Sequence, residues 1–194
     1  MKKLSIITLM VLVVLNLNAQ TKAENNVKYA DAIVIAEEYV VPMDFNSNLN
    51  KFIRTTNKED KGNVLFCKNS GFESSAFPKT KILLPGSKYR ITMYPVLEDV
   101  SILDCILFLS EEHTAVLAGV EETMILYSLK DKLPLNKCML SFYKKELLNE
   151  TKVSIPSIER FTDCGYWQFF AFNFNFWDRV QANETYLICF EKLN

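Results

Sequence analysis

GYWQFFAFNFNFW, residues 165–177, carries the clearest strand pattern in the chain. Its even positions Phe170, Phe172, Phe174 and Phe176 form one uninterrupted apolar row, while the odd positions run Trp167, Phe169, Ala171, Asn173, Asn175 and Trp177. Side chains alternate between faces along a strand, so the phenylalanine row predicts a core-facing surface and the odd row a second face that turns polar toward its end. TYLICF (185–190) supplies another row, Tyr186, Ile188 and Phe190. With residues 178–184 as the connection, a hairpin sets Phe172 opposite Phe190, Phe174 opposite Ile188 and Phe176 opposite Tyr186, and both apolar rows share one side.

Outward from this pair, NVLFC (63–67), KILL (81–84), KYRITMYPV (88–96), CILFL (105–109), AVLAG (115–119), CMLSFY (138–143) and KVSIPSI (152–158) are short, rich in strand formers and separated by turn residues. In KYRITMYPV the row Tyr89, Ile91, Met93 alternates with Arg90, Thr92, Tyr94, which implies one covered face. Pro156 limits KVSIPSI to a sheet edge, and SEEHT (110–114) suits a hairpin between CILFL and AVLAG. Asp44 can cap a helix whose Leu49, Phe52 and Ile53 share a face. EETMILYSLK (121–130), with acids in its first turn and Pro134 beyond it, reads as a second helix, a strand through TMILYSL being the alternative. YADAIVIAEEYVV (29–41) fits either helix or strand until Pro42 stops it. The expectation is a single α+β domain, an antiparallel-rich sheet of about seven or eight strands with one to three helices packed on one face.

The N-terminus reads as an export signal. Lys2 and Lys3 precede the uncharged run Leu4–Leu15, which is too short to cross a bilayer, and Ala19 fits the small residue at a cleavage point. The chain then divides into a signal peptide (1–19), a polar start with an N-terminal helical segment (20–60) and a β-rich core (61–194) of the same exported domain, periplasmic or secreted. Cleavage removes two of the 22 basic residues and none of the 23 acidic ones, for a net charge of −3. No cysteine precedes Cys67, so no lipid anchor is expected at the cut, and no membrane span is expected either. All five cysteines (67, 105, 138, 164, 189) lie in the exported part, where disulfides persist. Cys105, Cys138 and Cys189 sit in apolar runs, whereas Cys67 and Cys164 have loop-like neighbours, which makes Cys67–Cys164 the candidate bridge.

Composition excludes several functions. The 194 residues include one histidine, so metal cages built from two or three imidazoles are ruled out, and neither a metal nor a cofactor is expected. The glycines at 62, 71, 86, 119 and 165 are too sparse for a phosphate-wrapping loop. The near balance of charge gives no field for nucleic acid.

Asn173, Asn175 and Trp177 recur every second residue, within roughly 13 Å on one strand face, and form a candidate surface for a protein or small-molecule ligand. His113, in Glu111-Glu112-His113-Thr114, is a candidate contact at a hairpin tip, its pKa expected to rise beside two carboxylates. Glu98, Asp99, Asp104, Glu111 and Glu112 could supply a carboxylate pair for hydrolysis. Asn149 and Asn183 begin glycosylation sequons, relevant in a eukaryotic host. The leading expectation is therefore a non-enzymatic binding protein, an inhibitor or immunity-type factor. An extracytoplasmic hydrolase using His113 or a carboxylate pair is an alternative, as is a β-barrel-like carrier whose phenylalanine ladder lines an apolar cavity.

Overall fold

Phe169 is the hub of the core: its ring lies 4.7 Å from Phe66, 5.3 Å from Tyr127, 5.5 Å from Phe72 and 5.7 Å from Phe52, and it is fully buried. These contacts come from a computed structural model that describes residues 28–60, 63–67, 72, 77, 83–142, 153–163, 165–175 and 177–194. Residues 1–19, expected as an export signal, and Asn149, Cys164 and Phe176 lie outside the described residues.

Nine strands and three α-helices are present among the described residues. They are β1 (Ile33–Val40), α1 (Leu49–Glu59), β2 (Val64–Phe66), β3 (Lys88–Pro95), β4 (Val100–Ser101), α2 (Ile102–Leu107), α3 (Val120–Ser128), β5 (Cys138–Leu140), β6 (Val153–Arg160), β7 (Trp167–Phe174), β8 (Arg179–Val180) and β9 (Thr185–Lys192). Seven strands form one sheet in the order β1-β3-β9-β5-β6-β7-β2, and β4 pairs with β8 in a second, two-stranded sheet. The fold is a single α+β domain, but the large sheet is mixed rather than antiparallel-rich, because β5 runs parallel to β9 and β2 parallel to β7.

The register fixes which side chains share a face. Met93 pairs with Ile188, Tyr186 with Met139, Ile158 with Phe169 and Phe66 with Phe169, which defines one side of the sheet; Tyr94, Leu187, Leu140, Ser157 and Phe170 define the other. Phe52 of α1 and Tyr127 of α3 pack on the Phe169 side. Phe108, in the π-helical turn Phe108–Glu112 that extends α2, stands edge-on to Tyr94 on the opposite side. Helices therefore cover both faces, not one, and in β3 both Met93 and Tyr94 are buried. Between α2 and α3 the chain runs beside β9, where Val116 N–H donates to Phe190 O at 2.8 Å. The shortness of β5, three residues, leaves that edge of β9 open for the passage.

Several local expectations change for identifiable reasons. The helix cap at α1 is Asn48, whose side chain accepts from Lys51 N–H at 3.0 Å, and not Asp44. CILFL is helical: Ser101 Oγ accepts from Asp104 N–H and starts α2, so no hairpin forms around SEEHT. EETMILYSLK is helix α3, buried on nearly all sides from Glu121 to Tyr127, as a helix without a polar stripe must be. YADAIVIAEEYVV resolves as strand β1.

β6 is an interior strand despite Pro156. The Pro156 carbonyl accepts from Ser141 N–H at 3.1 Å, but proline has no N–H to return to Ser141 O, so pairing with β5 stops at Leu140–Ser157. β7 and β9 are not a hairpin, since β5 and β6 lie between them. The core row of β7 is the odd one, Trp167, Phe169 and Ala171, all buried, while Phe172 of the even row is 37% exposed. Among the described residues the sheet is open, with β1 and β2 at its edges.

Candidate binding site

On the Tyr94 side of the sheet, a cavity of about 590 Å³ lies between β5, β6, β7 and the segment that carries β8 into β9. Leu140, Phe161, Phe172, Phe174 and Val180 give it apolar walls. The even row of β7 reaches it as an aromatic ladder, Phe170–Phe172 with ring centroids 4.7 Å apart and Phe172–Phe174 at 5.3 Å. Two members of the phenylalanine row, Phe172 and Phe174, line this cavity.

Two carboxyl residues line this space, the exposed Glu184 and the buried Glu159. Glu159 lies opposite Gln168 of β7, and Cys138, one residue before the Met139–Ile158 pair, comes beside it on β5, with Thr185 of β9 next in the row. Glu159 is only 9% exposed. Among the described residues no side chain or backbone group hydrogen-bonds to it. Burial pushes its pKa up to about 7, since the charged form loses solvation without a compensating donor. Around the mouth, Arg179 Nη2 donates to Asp99 O at 2.6 Å and the Lys137 ammonium donates to Asn183 O, so both cations already serve backbone carbonyls.

The neighbouring thiols are not activated. Burial, and then the Glu159 charge, raise the pKa values of both Cys138 and Cys67. Cys67 Sγ donates to Gln168 Oε1 at 3.9 Å, and no disulfide joins the described cysteines; Cys164, the other half of the expected bridge, lies outside the described residues. Among the described residues no three His, Cys, Asp or Glu side chains converge as metal ligands would.

The residues singled out in the sequence are not brought together. Asn173 lies on the Phe169 side, where its Oδ1 accepts from Ser154 Oγ at 2.6 Å. β7 ends at Phe174, and Asn175 enters a turn in which its backbone N–H donates to Asp178 Oδ2 at 2.7 Å. Trp177, in the same turn, is 79% exposed. The three therefore do not continue one strand row.

His113 is on the cavity's side of the sheet but over β3 and β9. Its Nδ1 is 3.1 Å from Tyr94 Oη and 3.8 Å from Glu191, and its ring packs on Phe108. Burial lowers its pKa, outweighing the upward pull of Glu191 and Glu112, which reverses the direction expected from its acidic sequence neighbours. Asp99 Oδ1 accepts from Ala182 N–H, and Asp104 lies 3.8 Å from Lys28.

Glu159 and the cavity rim were missed because the expected strand ended at Ile158. The signal was present in SIPSIER, where Ser157 and Glu159 alternate with Pro156 and Ile158. Comparison of the chain with protein-family models, with curated proteins and with solved structures finds no match.

Proposed function

We propose that the chain is a non-enzymatic binding protein, exported through its N-terminal segment, that takes a small ligand with an apolar body into the cavity above β5, β6 and β7. The observation that carries this reading is a cavity of about 590 Å³ with aromatic and aliphatic walls and, among them, the Glu159 carboxyl, 9% exposed and without a hydrogen-bond partner among the described residues. Ligand sites commonly have a volume of roughly 300–1,000 Å³ and combine apolar walls with a few polar groups that set orientation. Hydrolysis is less well supported, because the nearby thiols are held protonated and His113 stands against Tyr94. A protein partner is the second reading, and the exposed Trp177 favours it.

The test is titration with N-phenyl-1-naphthylamine, whose fluorescence rises on entering an apolar site. Saturable binding that Phe172→Arg abolishes and Trp177→Ala leaves intact supports the cavity. Loss with Trp177→Ala and retention in Phe172→Arg overturns it in favour of the surface. Far-UV circular dichroism of both variants establishes that they fold.

A further inference from the structure

We infer that Glu159 is the recognition group for an organic cation, an ammonium head on an aromatic or aliphatic body, bound with its head against this carboxyl and its body along Phe172 and Phe174. The inference rests on the cavity being a ligand site and names the chemistry that site selects. Three observations lead to it. Glu159 is nine-tenths buried, lines the cavity and has no hydrogen-bond partner among the described residues. A buried polar group left unsatisfied is costly, and a donor brought by a ligand removes that cost. Phe161, two residues beyond Glu159, and Phe172 and Phe174, farther along the wall, give the cavity aromatic surface, and ring faces attract cations as well as apolar surface.

The other charged and titratable groups around Glu159 do not reverse this preference. Cys138 on β5 and Cys67 beyond β2 are neutral thiols at physiological pH. The Arg160 guanidinium, on the next residue of β6, donates to Gly165 O at 3.3 Å. Lys137 and Arg179 are held by Asn183 O and Asp99 O, and Glu184 adds a second carboxyl to the cavity wall. An ammonium arriving at Glu159 stabilises the ionised form, so binding releases a proton in the range where the empty site is partly protonated. Affinity for a cation then rises with pH up to about 7 and levels off above it.

Three probes with one body separate the possibilities: 2-(2-naphthyl)ethylamine, 2-(2-naphthyl)ethanol and 3-(2-naphthyl)propanoate, each titrated calorimetrically into the full chain at pH 8 and at pH 5.5. The amine is expected to bind at least about tenfold more tightly than the alcohol at pH 8 and to lose about tenfold in affinity per pH unit below the Glu159 midpoint. Glu159→Gln should bring the amine down to the alcohol while leaving the alcohol unchanged, which also shows that the variant folds. Equal or tighter binding of the alcohol or the propanoate to the unaltered chain overturns the inference and leaves the cavity reading standing. Unchanged amine affinity in Glu159→Gln does the same. Failure of all three probes overturns the cavity reading together with this one.

Discussion

Tyr127 Oη donates to Asp60 Oδ2 at 2.5 Å, and Lys130 Nζ reaches the same oxygen at 3.0 Å, so one carboxylate just beyond α1 ties that helix to the end of α3. Both helices hold rings against Phe169, and this clamp therefore fixes the layer that covers the core face of β7. The Tyr127 bond, and then Lys130, hold the Asp60 pKa below its ordinary value. A carboxyl depressed in the folded state contributes stability above its unfolded pKa and loses it as pH falls through the folded one. Tyr127→Phe is expected to cost about 1 kcal/mol at pH 7, a charged hydrogen bond discounted for partial exposure. Urea unfolding at pH 7 and at pH 3 checks it: the difference between variant and parent should shrink at the lower pH.

His113 is the sole histidine of the chain, so one imidazole resonance reports it without assignment. Burial lowers its pKa more than Glu191 and Glu112 raise it. Its titration midpoint by proton NMR is expected below the ordinary 6.5. Stability tied to the neutral ring is then present above pH 6.5 and lost as pH falls through the folded midpoint. A midpoint above 6.5 would mean that the carboxylates dominate.

Much of the architecture was legible in sequence because it is written in local patterns. The alternation in KYRITMYPV, the first-turn acids of EETMILYSLK and the period of Leu49, Phe52 and Ile53 each identify an element from its own residues. Pairing is not local. The runs 165–177 and 185–190 match in parity, yet Phe190 pairs with Ile91 and Phe172 with Ile155, because any two alternating apolar strands satisfy the same rule. Nor can a strand state which of its two apolar rows meets the larger helical layer; α1 and α3 decide that, more than forty residues away. The cavity was invisible for the same reason, since β5, β6, β7 and the β8–β9 segment meet only in the folded chain. Glu159 has no local mark beyond being a charge inside an alternating strand.

Glu159 also sets a pH dependence in the protein without ligand. Its pKa is raised to about 7 by burial, so the folded chain holds a proton that the unfolded chain releases earlier. Stability from this group is complete below the unfolded pKa near 4.5 and is lost as pH rises through about 7. The full swing is on the order of 3 kcal/mol at about 1.4 kcal/mol per pKa unit. Glu159→Gln is expected to leave stability at pH 4.5 nearly unchanged and to raise it at pH 8, and urea midpoints across that range measure the difference. An unchanged slope in the variant would show that Glu159 is solvated.

Phe169 and Phe172 belong to one strand but to opposite faces, and their truncation separates fold from site. Phe169 is fully buried among four aromatic rings, so Phe169→Ala should cost roughly 3–5 kcal/mol through lost transfer energy and the void left behind. Phe172 is 37% exposed and touches mainly its ladder neighbours, so Phe172→Ala should cost only about 1 kcal/mol, since part of its surface is already in water. The same substitution removes one wall of the cavity and should weaken naphthylamine binding severalfold. Thermal unfolding of the two variants, with probe titration of Phe172→Ala, distinguishes this from the reverse parity. If the even row were the core, Phe172→Ala would be the destabilising change and Phe169→Ala the tolerated one.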